Sequence, residues 1–184
     1  MSEKYKVIES ETATFITLTL VGWVDLFIRK VYTDILDESF EYCQKHKGLK
    51  IHGYVYMTSH IHLIVSSEKN KIQDIVRDFK KYTNKRLIET IISYNESRRE
   101  WLLNKFSFEA KKSGRASKYK LWQDGFHPII LDSGKKIMQR LNYIHENPLE
   151  TGFVTEEKYW KHSSYNVYFN EEGELPNLKI AKLF

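Results

Sequence analysis

One cysteine, Cys43, is all the chain has, so no disulfide can close within it. No run approaches the roughly 18 consecutive apolar residues of a membrane span. The first residues, Met1-Ser2-Glu3-Lys4-Tyr5-Lys6, also lack the apolar segment of a signal peptide. These absences predict a soluble, cytoplasmic protein with no membrane partner. No internal repeat and no second hydrophobic core is visible. The 184 residues, 41% hydrophobic and 14% aromatic, therefore read as a single domain, 1–184.

Charge is present, mildly basic at net +5 with a pI near 9.1, which alone argues weakly for a nucleic-acid partner. Its distribution says more. Between Arg98 and Lys120 stand eight basic residues against Glu100 and Glu109, a net +6 that leaves the rest of the chain near −1. The same segment contains Ser113-Gly114-Arg115-Ala116-Ser117, small, polar and without periodicity. It reads as a mobile basic loop near 98–120, either solvated or an arm that orders on phosphates.

Ala13 to Val21 are β-branched and aromatic and too short for a typical helix, which predicts a strand. Val31, Ile35, Leu36, Phe40 and Cys43 form a helical stripe over Lys30 to Lys47, closing before Gly48. Ile51 to Met57 and Ile61 to Val65 read as strands of an antiparallel hairpin turned at Thr58-Ser59, with His60 at the exit. A long helix begins near Lys71, apolar at Ile72, Ile75, Val76 and Phe79, basic on the opposite side at Arg77, Lys80, Lys81 and Lys85. A fourth, edge-type strand falls in Phe126 to Leu131. Asp132 or Ser133 caps a last helix bearing Ile137, Leu141 and Ile144, and Pro148 is expected to end it. An aromatic tail from about 151 packs back on the domain. The order predicts an α+β, ferredoxin-like (RRM-like) fold: an antiparallel four-stranded sheet with helices packed on one face.

Two residues apart on a strand, His60 and His62 point to the same face about 7 Å apart, a spacing that lets two imidazoles converge on one metal ion. Two ligands are too few. Asn147 lies one helical turn after Tyr143, although a residue before proline is pushed from helical angles; His145 and Glu146 compete as third ligand. Tyr143 is one of 12 tyrosines. A phenol attacks phosphorus if it loses its proton and the phosphate is polarised by a metal.

Four segments carry a resemblance: Tyr54-Val55-Tyr56-Met57-Thr58-Ser59-His60-Ile61-His62-Leu63-Ile64-Val65, Ile75-Val76-Arg77-Asp78-Phe79-Lys80-Lys81-Tyr82-Thr83, Leu121-Trp122-Gln123-Asp124-Gly125-Phe126-His127, and Tyr143-Ile144-His145-Glu146-Asn147-Pro148. In this order they resemble the REP-associated tyrosine transposases of the HUH superfamily, over roughly residues 10 to 168. The resemblance implies His60, His62 and Asn147 as ligands of Mg2+ or Mn2+, and Tyr143 as the nucleophile. It implies cleavage of single-stranded DNA beside a hairpin through a 5′-phosphotyrosine, by a nucleoid-associated monomer or homodimer. Arg77, Lys80, Lys81, Lys85, Lys111, Lys112, Arg115 and Lys118 become the expected DNA contacts, with Trp122 or Phe126 stacking on unpaired bases or serving the core.

Overall fold

The computed structural model describes residues 10–114, 117–169 and 176–184. Its elements are β1 (Thr14–Thr19), α1 (Lys30–Lys47), β2 (Leu49–Tyr56), β3 (His60–Ser67), α2 (Ile72–Ser93), α3 (Arg99–Lys112), β4 (Ile129–Ile130), α4 (Gly134–Glu150) and α5 (Tyr165–Phe169). The helix α1 has the predicted bounds. Gly48 ends it by adopting φ 72°, a left-handed conformation that costs glycine little, and its N–H closes on the Cys43 carbonyl. The strands form one antiparallel sheet in the order β2-β3-β1-β4, with β4 a two-residue edge strand as the proline before it suggested.

Helices cover both faces of this sheet, not one. Ile16, Leu18, Tyr54, Tyr56, Ile61 and Leu63 point into a core with Leu36, Phe40, Ile75 and Phe79 of α1 and α2. The alternate residues Phe15, Val55 and Ile64 point the other way, into a second core under Leu141 and Ile144 of α4. Each fully buried side chain of this size contributes about 1.5–3 kcal/mol. The strands are apolar on both faces, so alternation does not mark a solvent side, and the second core is invisible to a period-two reading.

The segment expected as a mobile basic loop is mostly the helix α3. Leu102, Phe106 and Ala110 recur every four residues on its buried side. Exposed Trp101 and Phe108 on its outer side blur that stripe in the sequence. Pro148 does not end α4 either: the helix runs on to Glu150 and keeps Asn147 within it. The Asn147 carbonyl is taken up by the N–H and the hydroxyl of Thr151.

The tail packs back as expected. Trp160 and Tyr168 join the second core, the Trp160 indole N–H donates to the Tyr56 carbonyl, and residues 162–164 bond along β2. No helix among the described residues is long and apolar enough to cross a membrane.

Candidate active site

The hairpin and α4 together position three of the residues singled out in the sequence. His60 and His62 open β3 and project from the α4 side of the sheet, their ring centroids 4.7 Å apart. Above them stands α4, whose approach is permitted by Gly53: a Cβ there would lie 2.7 Å from Leu141 Cδ1. Ser133 caps the helix by accepting from the Lys136 N–H. This seating brings the ring of Tyr143 within 5.2 Å of the His62 ring, at 65° to it, while leaving the tyrosine 36% exposed. Nucleophile candidate and histidine pair thus meet within one chain.

The protonation chemistry of His62 follows from its surroundings. The ring is 6% exposed, its Nδ1 lies 2.9 Å from Thr17 Oγ1 on the neighbouring strand, and its Nε2 is buried with no hydrogen-bond partner among the described residues. Burial, reinforced by the charges of His60 and Arg140, depresses its pKa to about 3, so the ring is neutral at physiological pH. A neutral ring that donates from Nδ1 to Thr17 leaves Nε2 as a bare lone pair. His60 is similarly disposed: its Nδ1 lies 3.2 Å from Ser59 Oγ and burial lowers its pKa.

An orphaned buried nitrogen beside a second neutral imidazole is a donor arrangement that fits a divalent cation. Among the described residues no cluster of three His, Cys, Asp and Glu side chains is spaced for a metal, so any third protein ligand would be of another type. The amide of Asn147 qualifies by chemistry: it is buried on the same side of α4 as Tyr143, one turn further along. The rival His145 points elsewhere, with its Nε2 on Ser164 Oγ and its ring among Tyr165, Tyr168 and Phe169. Glu146 is exposed.

Three neighbours of this constellation escaped sequence reasoning. Thr17 orients His62. Arg140, one turn before Tyr143, lays its guanidinium over the rings of Phe15 at 4.9 Å and Tyr143 at 5.8 Å. Among the described residues no carboxylate pairs with it. Trp23 sets its ring 5.3 Å from that of His60. Only the i, i+3 spacing of Arg140 to Tyr143 was available as a signal.

The expected DNA contacts divide. Arg77 is held by Asp74 and Asp78, and the Lys80 ammonium donates to the Gln123 and Gly125 carbonyls, tying α2 to the following loop. Lys81 is exposed, and Lys85 reaches Glu89 only at 3.9 Å. All four line a groove of about 660 Å³ between α2 and residues 117–126, with Tyr119, Lys120 and Phe126 on its other wall. Lys111 and Lys112 are exposed in the last turn of α3, and exposed Lys118 lies over the Tyr119 ring. Arg115 lies outside the described residues. Trp122 is a core residue: it is 4% exposed and its indole N–H donates to Thr83 Oγ1. Phe126 is half-buried.

Against known proteins, residues 24–147 match the family model described as "Transposase IS200 like", a span containing both histidines, Tyr143 and Asn147. A Haemophilus influenzae protein whose name places it among the REP-associated tyrosine transposases is 23% identical over 159 residues, covering 80% of this chain and 82% of that protein. The solved structure of a REP-associated tyrosine transposase bound to a REP hairpin superposes with a TM-score of 0.64 at 16% identity, over 100% of this chain and 99% of its own. With more than half its length matched, the chain belongs to the IS200-like transposase family.

Proposed function

We propose that this transposase-family protein cuts and rejoins single-stranded DNA beside a hairpin, with Tyr143 as nucleophile. The observation that carries this reading is the approach of the Tyr143 ring to that of His62, 5.2 Å between centroids, a histidine whose buried Nε2 has no hydrogen-bond partner among the described residues.

His60, His62 and the amide oxygen of Asn147 would hold a divalent cation, Mg2+ or Mn2+, whose bound chemistry is to polarise the scissile phosphate. Tyr143 Oη attacks phosphorus in line with the departing oxygen. The Oη–P bond forms as the P–O3′ bond breaks, and the phenol proton ends on the 3′ oxygen by way of solvent. The products are a 5′-phosphotyrosine and a free 3′-hydroxyl. The phosphodiester count is unchanged, so a second 3′-hydroxyl can reverse the step on another end. Arg140 supports the reaction from beside Tyr143: its guanidinium lies over the Phe15 ring and pairs with no carboxylate among the described residues, which leaves its N–H edges for a phosphate oxygen. Lys81 and Lys85, with exposed Lys111, Lys112 and Lys118, supply phosphate contacts for the hairpin. Hairpin DNA as the substrate rests on the solved relative, whose structure is described with a REP hairpin bound.

Incubating the protein with a labelled hairpin-flanked single strand and Mg2+ should yield a covalent adduct that survives denaturation, and Tyr143→Phe should abolish it. Cleavage without adduct, or an adduct persisting in Tyr143→Phe, would overturn the assignment in favour of water or another nucleophile.

A further inference from the structure

Beside the histidine pair, the chain holds one aromatic side chain in a conformation and an exposure that packing does not explain. Trp23 ends the short 3-10 turn Val21–Trp23 with φ 54°, a left-handed backbone that a bulky side chain rarely adopts, and it follows Gly22 at φ 62°. Its ring is nevertheless 61% exposed. A tryptophan that contributes little to the core and holds the backbone in a strained form is disfavoured twice over.

The surroundings show what the strain secures. The Trp23 N–H bonds to the Leu20 carbonyl, and the Leu20 N–H bonds to the Ser59 carbonyl in the turn just before His60. The end of the Lys105 side chain of α3 lies over Gly22, where a Cβ would meet its Cε at 2.5 Å. The indole is therefore held at the rim of the candidate site, edge to face with His60 at 74°. Its outer surface faces solvent.

We propose that Trp23 is the stacking platform for a nucleobase of single-stranded DNA next to the phosphate attacked by Tyr143. This rests on the reading of the site given above and adds to it a base-binding position. An indole offers every base a π-face without hydrogen-bond selection, so the contact fixes where the strand lies rather than which sequence it has. A flat ring beside the scissile phosphate also prevents the strand from re-stacking on itself as the nucleophile approaches.

Binding separates this role from a merely structural one. In a Tyr143→Phe background, the affinity for a labelled oligothymidine is compared with that for a strand of equal length made of abasic residues, which keeps the phosphates and lacks the bases. Trp23→Gly is the informative variant, because glycine accepts the positive φ and the fold is retained, as a thermal melt will verify. It should weaken oligothymidine binding roughly 5- to 150-fold and leave the abasic strand within about twofold, with Trp23→Phe restoring most of the loss. Equal losses on both strands would mean that Trp23 only props His60, and unchanged affinity for oligothymidine would mean it is idle; either result overturns the proposal. These measurements do not depend on catalysis. An adduct persisting in Tyr143→Phe would sink the nucleophile assignment while leaving the base-binding result standing.

Discussion

Replacing Thr17 by valine removes one hydroxyl and almost no volume, yet it should alter the chemistry of a residue on another strand. In the native protein Thr17 Oγ1 sits 2.9 Å from Nδ1 of a 6% exposed His62. With a methyl in that place the imidazole has two poor choices. If its proton stays on Nδ1, a buried donor goes unpaired, a loss of about 1–3 kcal/mol. If the proton moves to Nε2, it covers the atom that must be bare to bind a cation. Loss of an orienting partner of this kind typically lowers metal affinity about 10- to 100-fold, equivalent to about 1.4–2.8 kcal/mol. Thr17→Val should therefore weaken Mn2+ binding by that factor in a calorimetric titration. At about 2–4 °C per kcal/mol for a domain of this size, its melting temperature should fall by roughly 2–12 °C. Thr17→Ser keeps the hydroxyl and should restore most of the Mn2+ affinity. A Thr17→Val protein that binds Mn2+ as tightly as the wild type would refute the reasoning, whatever its stability.

Three other outcomes are expected. Burial holds the pKa of His62 at about 3 and that of His145 at about 4, against an ordinary 6.5. The unfolded chain therefore binds the extra protons first, and stability is lost as pH falls from 6.5 toward those values, by up to about 2 kcal/mol per histidine at pH 5; a melting temperature flat from pH 7 to 5 would contradict this. Gly53→Val should slow adduct formation on the order of 100-fold by pushing α4 away from β2, since a Cβ already meets Leu141 Cδ1 at 2.7 Å; a wild-type rate would show that α4 need not sit so close. Lys81→Ala combined with Lys85→Ala should reduce the slope of log affinity against log salt by about 1.4–1.8, and an unchanged slope would remove both from the DNA surface.

The parts of the fold legible in the sequence are those fixed locally. The stripe from Val31 to Cys43 and the stop at Gly48 determine α1, and the two apolar runs about Thr58-Ser59 determine the hairpin. The site was half legible for the same reason: His60 and His62 share a strand and Tyr143 stands in a recognisable segment, whereas Thr17, Trp23 and Arg140 matter only for what the chain brings beside them. Trp122 had no local feature to separate a base-stacking role from the core, and the buried hydroxyl of Thr83 decided the matter. The helix α3 was lost because basic residues and outward aromatics outnumber its three buried positions. The end of α4 was set too early, at Pro148, because the rule for residues before proline is a preference, and Asn147 stays helical here.

The return of the tail along β2 closes one border of the sheet. The Tyr56 N–H and the Tyr54 carbonyl are occupied by residues 162 and 164, and the Ile51 carbonyl by the Ala181 N–H. A sheet's outer strand with free hydrogen-bonding groups invites another chain to add to it. On the opposite border, β4 is only two residues long and follows a proline. Shortening the chain before Trp160 would thus uncover a row of unsatisfied backbone groups, and the first symptom of such a truncation should be aggregation during expression.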